Sequence, residues 1–344
     1  ALSAAGTSSN RIVFTSNQAT PVPGNWGGIS FTSLSGYVPS VITNCEFYYA
    51  TTALGFTNIS TDYTMNVSSC LFDNISSDPI SVNNSQVNIS GCTIQNFGSN
   101  GIIASGTNAK VEVNNSQITQ VLQTRIRTAT GIQGTNGAIM SLTGNAVSRC
   151  NWGIYAYSTT TNSSYIPVFN MSGSNIMDNN RGVYIYAYDG GDRSYPQITA
   201  TNNNIHSNVD KNIYVNRGAD PRSTEFDFRN NWWGSSDGVT IASKIYDYSS
   251  YVYCAFVNYL PFLNAPFDQG GVSTPGNYKA GLIHQNTTWT LANSPYVVIG
   301  EIIVEQLKTL TIEPGVVVRF QSDGLTVDGA SVANGTKTQR IVFT

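Results

Sequence analysis

Eight six-residue segments of this chain obey one rule, and the rule returns every 22 to 29 residues. They are ITNCEF (42–47), VSSCLF (67–72), ISGCTI (89–94), VNNSQI (113–118), LTGNAV (142–147), MSGSNI (171–176), ATNNNI (200–205) and FRNNWW (228–233). Each sets an apolar or small residue, two small polar residues, then Cys, Ser or Asn, then any residue, then an apolar or aromatic one. The fourth position falls at 45, 70, 92, 116, 145, 174, 203 and 231, giving spacings of 25, 22, 24, 29, 29, 29 and 28. Self-similarity at such a period is the mark of a solenoid, in which each repeat buries its apolar face only against its neighbours.

The two apolar positions of the template lie five residues apart, which breaks the period of two that keeps side chains on one face of a strand. A turn at the small polar pair must return both to the interior, and Asn and Gly tolerate the left-handed backbone such a turn needs. A second apolar run follows nine or ten residues later in most coils: PISV (79–82), GIIA (101–104), GIYA (153–156), GVYI (182–185) and NIYV (212–215). GIQG (131–134) comes late in its coil, which places an insertion near residues 119–130. Helical periodicity is absent from this stretch. The expected fold is all-β, a right-handed single-stranded parallel β-helix of roughly ten coils.

Only 11% of the 344 residues are charged, against about 25% in an average soluble protein. A net charge of −3 without long runs of either sign leaves no electrostatic footprint for nucleic acid or an anionic membrane. No apolar stretch approaches the ~20 residues of a membrane span, and no secretory signal follows Ala1, so the chain reads as mature or excised. Ten Asn-x-Ser/Thr sequons, at Asn58, Asn66, Asn74, Asn83, Asn88, Asn114, Asn162, Asn170, Asn286 and Asn334, are candidate glycosylation sites. An Asn-, Ser- and Thr-rich chain would carry about eight by chance, so their number decides little.

The coils resemble the parallel β-helix repeats of extracellular surface proteins, adhesins and polysaccharide-active enzymes. RNNWWG (229–234) and NWGGISF (25–31) are phrases of that superfamily, and the resemblance covers nearly the whole chain. TLTIEPGVVVRF (309–320) and GLTVDGASVANGTKTQRIVFT (324–344) resemble the opening coils that cap such helices at their N-terminal end. The organisation expected is a β-helix over 1–260, a Pro- and Gly-containing boundary over 261–277, and a C-terminal β module over 278–344. ALSAAGTSSNRIVFT (1–15) and ASVANGTKTQRIVFT (330–344) match at nine of fifteen positions, 329 residues apart. The chain is therefore either one repeat of a longer array or a unit whose copies continue each other end to end, since parallel sheets expose unpaired edges.

Three groups of residues could carry chemistry. Cys45, Cys70 and Cys92 share one template position, and a coil pitch of about 4.8 Å would stack them. Buried thiols acting as small hydrophobes account for this ladder, and a disulfide between two of them is the alternative. With Cys150 and Cys254 the total of five leaves at least one free thiol or an intermolecular bridge. Tyr155, Tyr184 and Tyr214 each follow an inward Ile or Val and should point outward, with Tyr157 and Tyr186 two residues on. Such a stripe suits stacking on sugar rings or a protein surface, or else simply suits half-buried β-structure. The loop AYDGGDRSYP offers Asp189, Asp192 and Arg193, and the insertion offers Arg125 and Arg127, the groups a polysaccharide lyase or glycoside hydrolase would need. They fall in different coils without a catalytic signature, and His206 looks like a coil-turn residue. No phosphate loop, nucleophile elbow or metal-spaced His/Cys set appears, so no cofactor is expected.

These features predict an extracellular or cell-surface β-helix protein with a structural or adhesive role, more readily a non-enzyme than an enzyme. Its expected partners are copies of itself, joined end to end to build a filament, and a polysaccharide met by the tyrosine stripe.

Overall fold

A computed structural model describes residues 2–32, 40–120, 129–160, 162–187, 194–218, 224–274, 276–321 and 323–344. The chain winds into a parallel β-solenoid of about eleven turns, one more than expected. Three sheets run its length: ten strands from Ser3–Ala5 to Phe256–Asn258, eight from Ile12–Phe14 to Asn204–His206, and nine from Ile29–Thr32 to Ile245–Tyr246. Each strand pairs in parallel with its counterpart one turn on, as Val87 with Val111 and Ile94 with Ile118.

The eight-segment template is a strand, a one-residue reversal and a second strand. Its third position has a left-handed backbone in every copy: Asn44 (φ 52), Ser69 (54), Gly91 (59), Asn115 (49), Gly144 (69), Gly173 (60), Asn202 (54) and Asn230 (58). That reversal restores the parity lost over five residues, and the first and sixth positions are buried in all eight copies. Left-handed backbone disfavours residues with a Cβ, and Asn bears it better than most.

The interior is made of columns. Phe14, Phe47 and Phe72 stack with centroids 4.8 and 4.9 Å apart, and Phe31 lies on Phe56 at 5.1 Å. Ile94, Ile118, Val147, Ile176 and Ile205 continue the first column in later coils. The fourth template position forms a second column. There Cys45, Cys70 and Cys92 are buried free thiols, so the ladder is one of small hydrophobes and not a disulfide. Ser116, Asn145, Ser174, Asn203 and Asn231 replace them, each accepting the backbone N–H of the residue one turn earlier at 2.9 to 3.1 Å. Asn179 and Asn208 do the same for Cys150 and Asn179 at 3.0 Å along a parallel column. Reversals inside the solenoid leave backbone groups unpaired, and the buried amides satisfy them.

The expected boundary at 261–277 begins inside the core of the solenoid. Phe262 and Leu263 belong to the main core, and Leu263 N–H donates to Asn231 O at 2.9 Å. The strands beyond form a five-stranded and a three-stranded sheet around a core of their own, led by Trp289, Tyr296, Val298 and Val318. This module packs on its own chain: Ile299 joins the main core, Ile303 meets Tyr248 and Phe256, and Glu301 N–H donates to Ser249 Oγ at 3.0 Å. No helix among the described residues is long and apolar enough to cross a membrane.

Candidate functional site

Register places the tyrosines together. On the nine-stranded sheet Tyr155 pairs with Tyr184, Tyr184 with Tyr214 and Tyr214 with Tyr246, while Tyr157 pairs with Tyr186 in the next outward column. Inward neighbours Ile154, Ala156, Val183, Ile185, Ile213 and Val215 are buried, so period-two alternation sends the rings outward. Tyr246 and Trp152 join this face, beyond the five tyrosines expected from alternation. Tyr246 sits in KIYD, whose likeness to NIYV was the available signal, and Trp152 stands just ahead of GIYA.

The rings do not lie flat on the sheet. Tyr155 and Tyr184 stack at 5.2 Å with planes 9° apart, Tyr214 and Tyr246 at 4.5 Å and 6°, and Tyr184 meets Tyr214 edge-on at 5.4 Å. Their faces are thus taken up by one another. Trp152 leans on Tyr155 and Tyr184, with centroids 4.4 and 4.9 Å away. The Arg181 guanidinium lies 3.6 Å over the Tyr214 ring and also holds Asp210 at 2.8 Å. Tyr184 is only 9% exposed, whereas Tyr157, Tyr186, Tyr214 and Tyr246 are half-buried. Burial pushes the Tyr184 phenol up to about 12, against the pull of Arg181, and also raises that of Tyr155. The face therefore offers neutral ring edges and hydroxyls.

The two matched segments share one backbone turn. Thr7 N–H donates to Asn10 O at 2.9 Å and Thr336 N–H to Gln339 O at 3.0 Å. The return bonds, Asn10 N–H to Thr7 Oγ1 and Gln339 N–H to Thr336 Oγ1, measure 3.0 and 2.9 Å. The sequence match is thus a match of backbone turns.

A groove of about 410 Å³ lies where the module meets the solenoid, lined among others by Glu225, Asp227, Arg229, Lys279 and His284. Its acids are engaged: Glu225 accepts from Asn258 Nδ2 at 3.1 Å, and Asp227 is gripped by Arg229 at 2.7 and 2.8 Å. His284 bridges Glu225 and Glu305 at 3.5 and 3.0 Å. His206 ends a strand and lines a different groove, where burial lowers its pKa. Asp189, Asp192, Arg193, Arg125 and Arg127 lie outside the described residues. No group of three His, Cys, Asp or Glu among the described residues could hold a metal. Of the sequons, Asn58, Asn66, Asn83, Asn162, Asn170, Asn286 and Asn334 are exposed and Asn74, Asn88 and Asn114 half-buried.

Over 163 residues the chain is 32% identical to the Protein bark beetle of Drosophila melanogaster, an alignment that covers 44% of this chain. The chain matches only 5% of that relative's length. No family model and no solved structure matches the chain.

Proposed function

We propose that this chain is a structural and adhesive β-solenoid unit of the cell exterior, whose copies continue one another end to end. The observation that carries this reading is the recurrence of one turn, with the same hydrogen bonds, at residues 7–10 and 336–339. A solenoid in which one turn returns 329 residues later has the form of a repeating shaft. Low charge and a surface rich in Asn, Ser and Thr suit an exterior setting, and the sequons suit glycosylation there.

The tyrosine face is the proposed lateral contact, with polysaccharide as its partner. Because the ring faces are occupied by one another, contact runs through the ring edges and hydroxyls of Tyr157, Tyr186, Tyr214 and Tyr246, which suit the hydroxyls of a sugar chain.

Electron microscopy of the concentrated chain tests the axial part: fibres one unit in period support it, and dispersed monomers overturn it. Co-sedimentation with insoluble polysaccharides tests the lateral part. Tyr157→Ala with Tyr186→Ala should lower binding at least tenfold while the melting transition is kept, and unchanged binding would sink the carbohydrate contact.

A further inference from the structure

The fifth position of the eight-segment template alternates outward from the buried sixth, and only its last copy is aromatic: Asn175, Asn204 and then Trp232 occupy it in the final three coils. Register sets these side chains next to one another, because Asn175 pairs with Asn204 and Asn204 bridges to Trp232, while Met177 pairs with His206 two positions on. They floor a groove of about 610 Å³ on the eight-stranded sheet, walled by residues of 234–244 and 266–269. That volume falls within the ~300–1,000 Å³ of small-molecule sites. Trp232 is half-buried there and meets no other aromatic ring among the described residues, so its face is not taken up as those of the tyrosines are.

The polar groups around the indole are held in place. Buried Asn204 donates through Nδ2 to Asn175 Oδ1 at 2.7 Å and to Asp268 Oδ1 at 3.1 Å, and its Oδ1 accepts Phe267 N–H at 3.1 Å. One amide thus fixes the segment 266–269 beside the floor and sets exposed Asp268 and Gln269 on the rim. Lys244 Nζ is taken up by the carbonyls of Asn208, Val209 and Asp210 at 3.1 to 3.4 Å. Its charge and that of Asp268 balance, and burial keeps His206 neutral at pH 7. Trp233 borders the same groove with a buried indole N–H that no acceptor among the described residues meets, and buried donors are seldom left so.

We propose that this groove binds one ring of a neutral saccharide, with the Trp232 indole as its platform and Asp268 and Gln269 as its polar partners. A pyranose has an apolar C–H face and a rim of hydroxyls that both donate and accept. The indole face suits the first, and a carboxylate beside a side-chain amide suits the second. A lining without net charge disfavours an acidic or amino sugar, which would bring an unpaired charge into the groove. The site is separate from the tyrosine face, which lies on the nine-stranded sheet, and neither depends on the other.

Calorimetric titration of the full chain with neutral tetrasaccharides of glucose, mannose, galactose and N-acetylglucosamine tests the groove. At least one should saturate it below about 10 mM. Trp232→Ala should weaken that binding at least tenfold, and Asp268→Ala, on the exposed rim, about fivefold with an unchanged circular dichroism spectrum. Where Trp232→Ala fails to fold, Asp268→Ala decides alone. The pair Tyr157→Ala and Tyr186→Ala should leave this binding as it is. Saturation by none of the four, or binding indifferent to both groove variants, overturns the proposal. Binding lost in the tyrosine pair and kept in the groove variants also overturns it, and assigns the saccharide to the tyrosine face.

Discussion

The side-chain oxygen of Asn231 accepts two hydrogen bonds from Asn203, one from its backbone N–H and one from its side-chain amide, both at 2.9 Å. Asn203 in turn donates to the carbonyls of Met171 and Thr201 and accepts from Ser174 N–H. One buried amide thus ties together three turns. Asn203→Ala should take a partner from Ser174 N–H and from the carbonyls of Met171 and Thr201, at a cost of about 2 to 4 kcal/mol. Equilibrium unfolding in urea measures this, and a loss below about 1 kcal/mol would contradict the role given to the column.

The cysteines higher in the same column make only weak thiol bonds, to Ala4 O, Ile42 O and Val67 O at 3.3 to 3.7 Å. Cys92→Ser should cost less than about 1.5 kcal/mol, because serine already serves at positions 116 and 174 of the column. Burial, and then neighbouring Cys70, push the Cys45 thiol up to about 11, so only about one molecule in a thousand carries its thiolate at pH 8. All five thiols being buried, native protein should resist iodoacetamide at pH 8, while the same protein in denaturant takes up five labels. Rapid labelling of the native state would show that the column is open to solvent.

Ser69 holds a left-handed backbone that Gly91, Gly144 and Gly173 hold at the same template position. Ser69→Gly removes the Cβ crowding there and should stabilise the fold by roughly 0.5 to 1 kcal/mol, although glycine is ordinarily a destabilising substitution. A lowered melting temperature would count against the turn geometry.

Asp247 is buried, and its carboxylate accepts the N–H groups of Val257 and Ser249 at 3.1 and 3.0 Å. Burial nevertheless raises its pKa to about 6. An acid that binds its proton more tightly when folded favours the fold fully below its unfolded pKa of about 4, and that favour is lost as pH rises through 6. This residue alone should make the chain roughly 2 kcal/mol less stable at pH 7.5 than at pH 4. Unfolding curves at pH 5 and 7.5 should differ in wild type and converge in Asp247→Asn, which is weaker at both because its NH2 faces a backbone N–H. A difference kept in that variant would assign the pH dependence elsewhere.

Phe47 lies between Phe14 and Phe72 with no solvent exposure. Phe47→Ala should cost about 3 to 5 kcal/mol by urea unfolding. A smaller loss would mean that the column closes over the gap.

Much of this architecture is written locally. The reversal at Asn44, Ser69 or Gly91 is a matter of Cβ sterics within one residue, so its period in the sequence is the period of the coil. The inward positions followed from the same template, because one apolar residue on either side of the reversal must face the interior. The tyrosine face was only half legible. That Tyr155, Tyr184 and Tyr214 point outward follows from alternation, but that they stack on each other, and that Trp152, Arg181 and Tyr246 join them, depends on register between coils about 30 residues apart.

The amino-acid sequence by itself determined the solenoid, its turns, its buried columns and the repetition of residues 1–15 at 330–344, because these rest on period and backbone sterics that act within a few residues. Only the tertiary structure decided that the C-terminal module packs on its own chain through Ile299 and Ile303, and that Arg11 has the Glu46 carboxylate beside it. The physical reason is that what covers a coil is the next coil, and that neighbour lies dozens of residues away in the sequence.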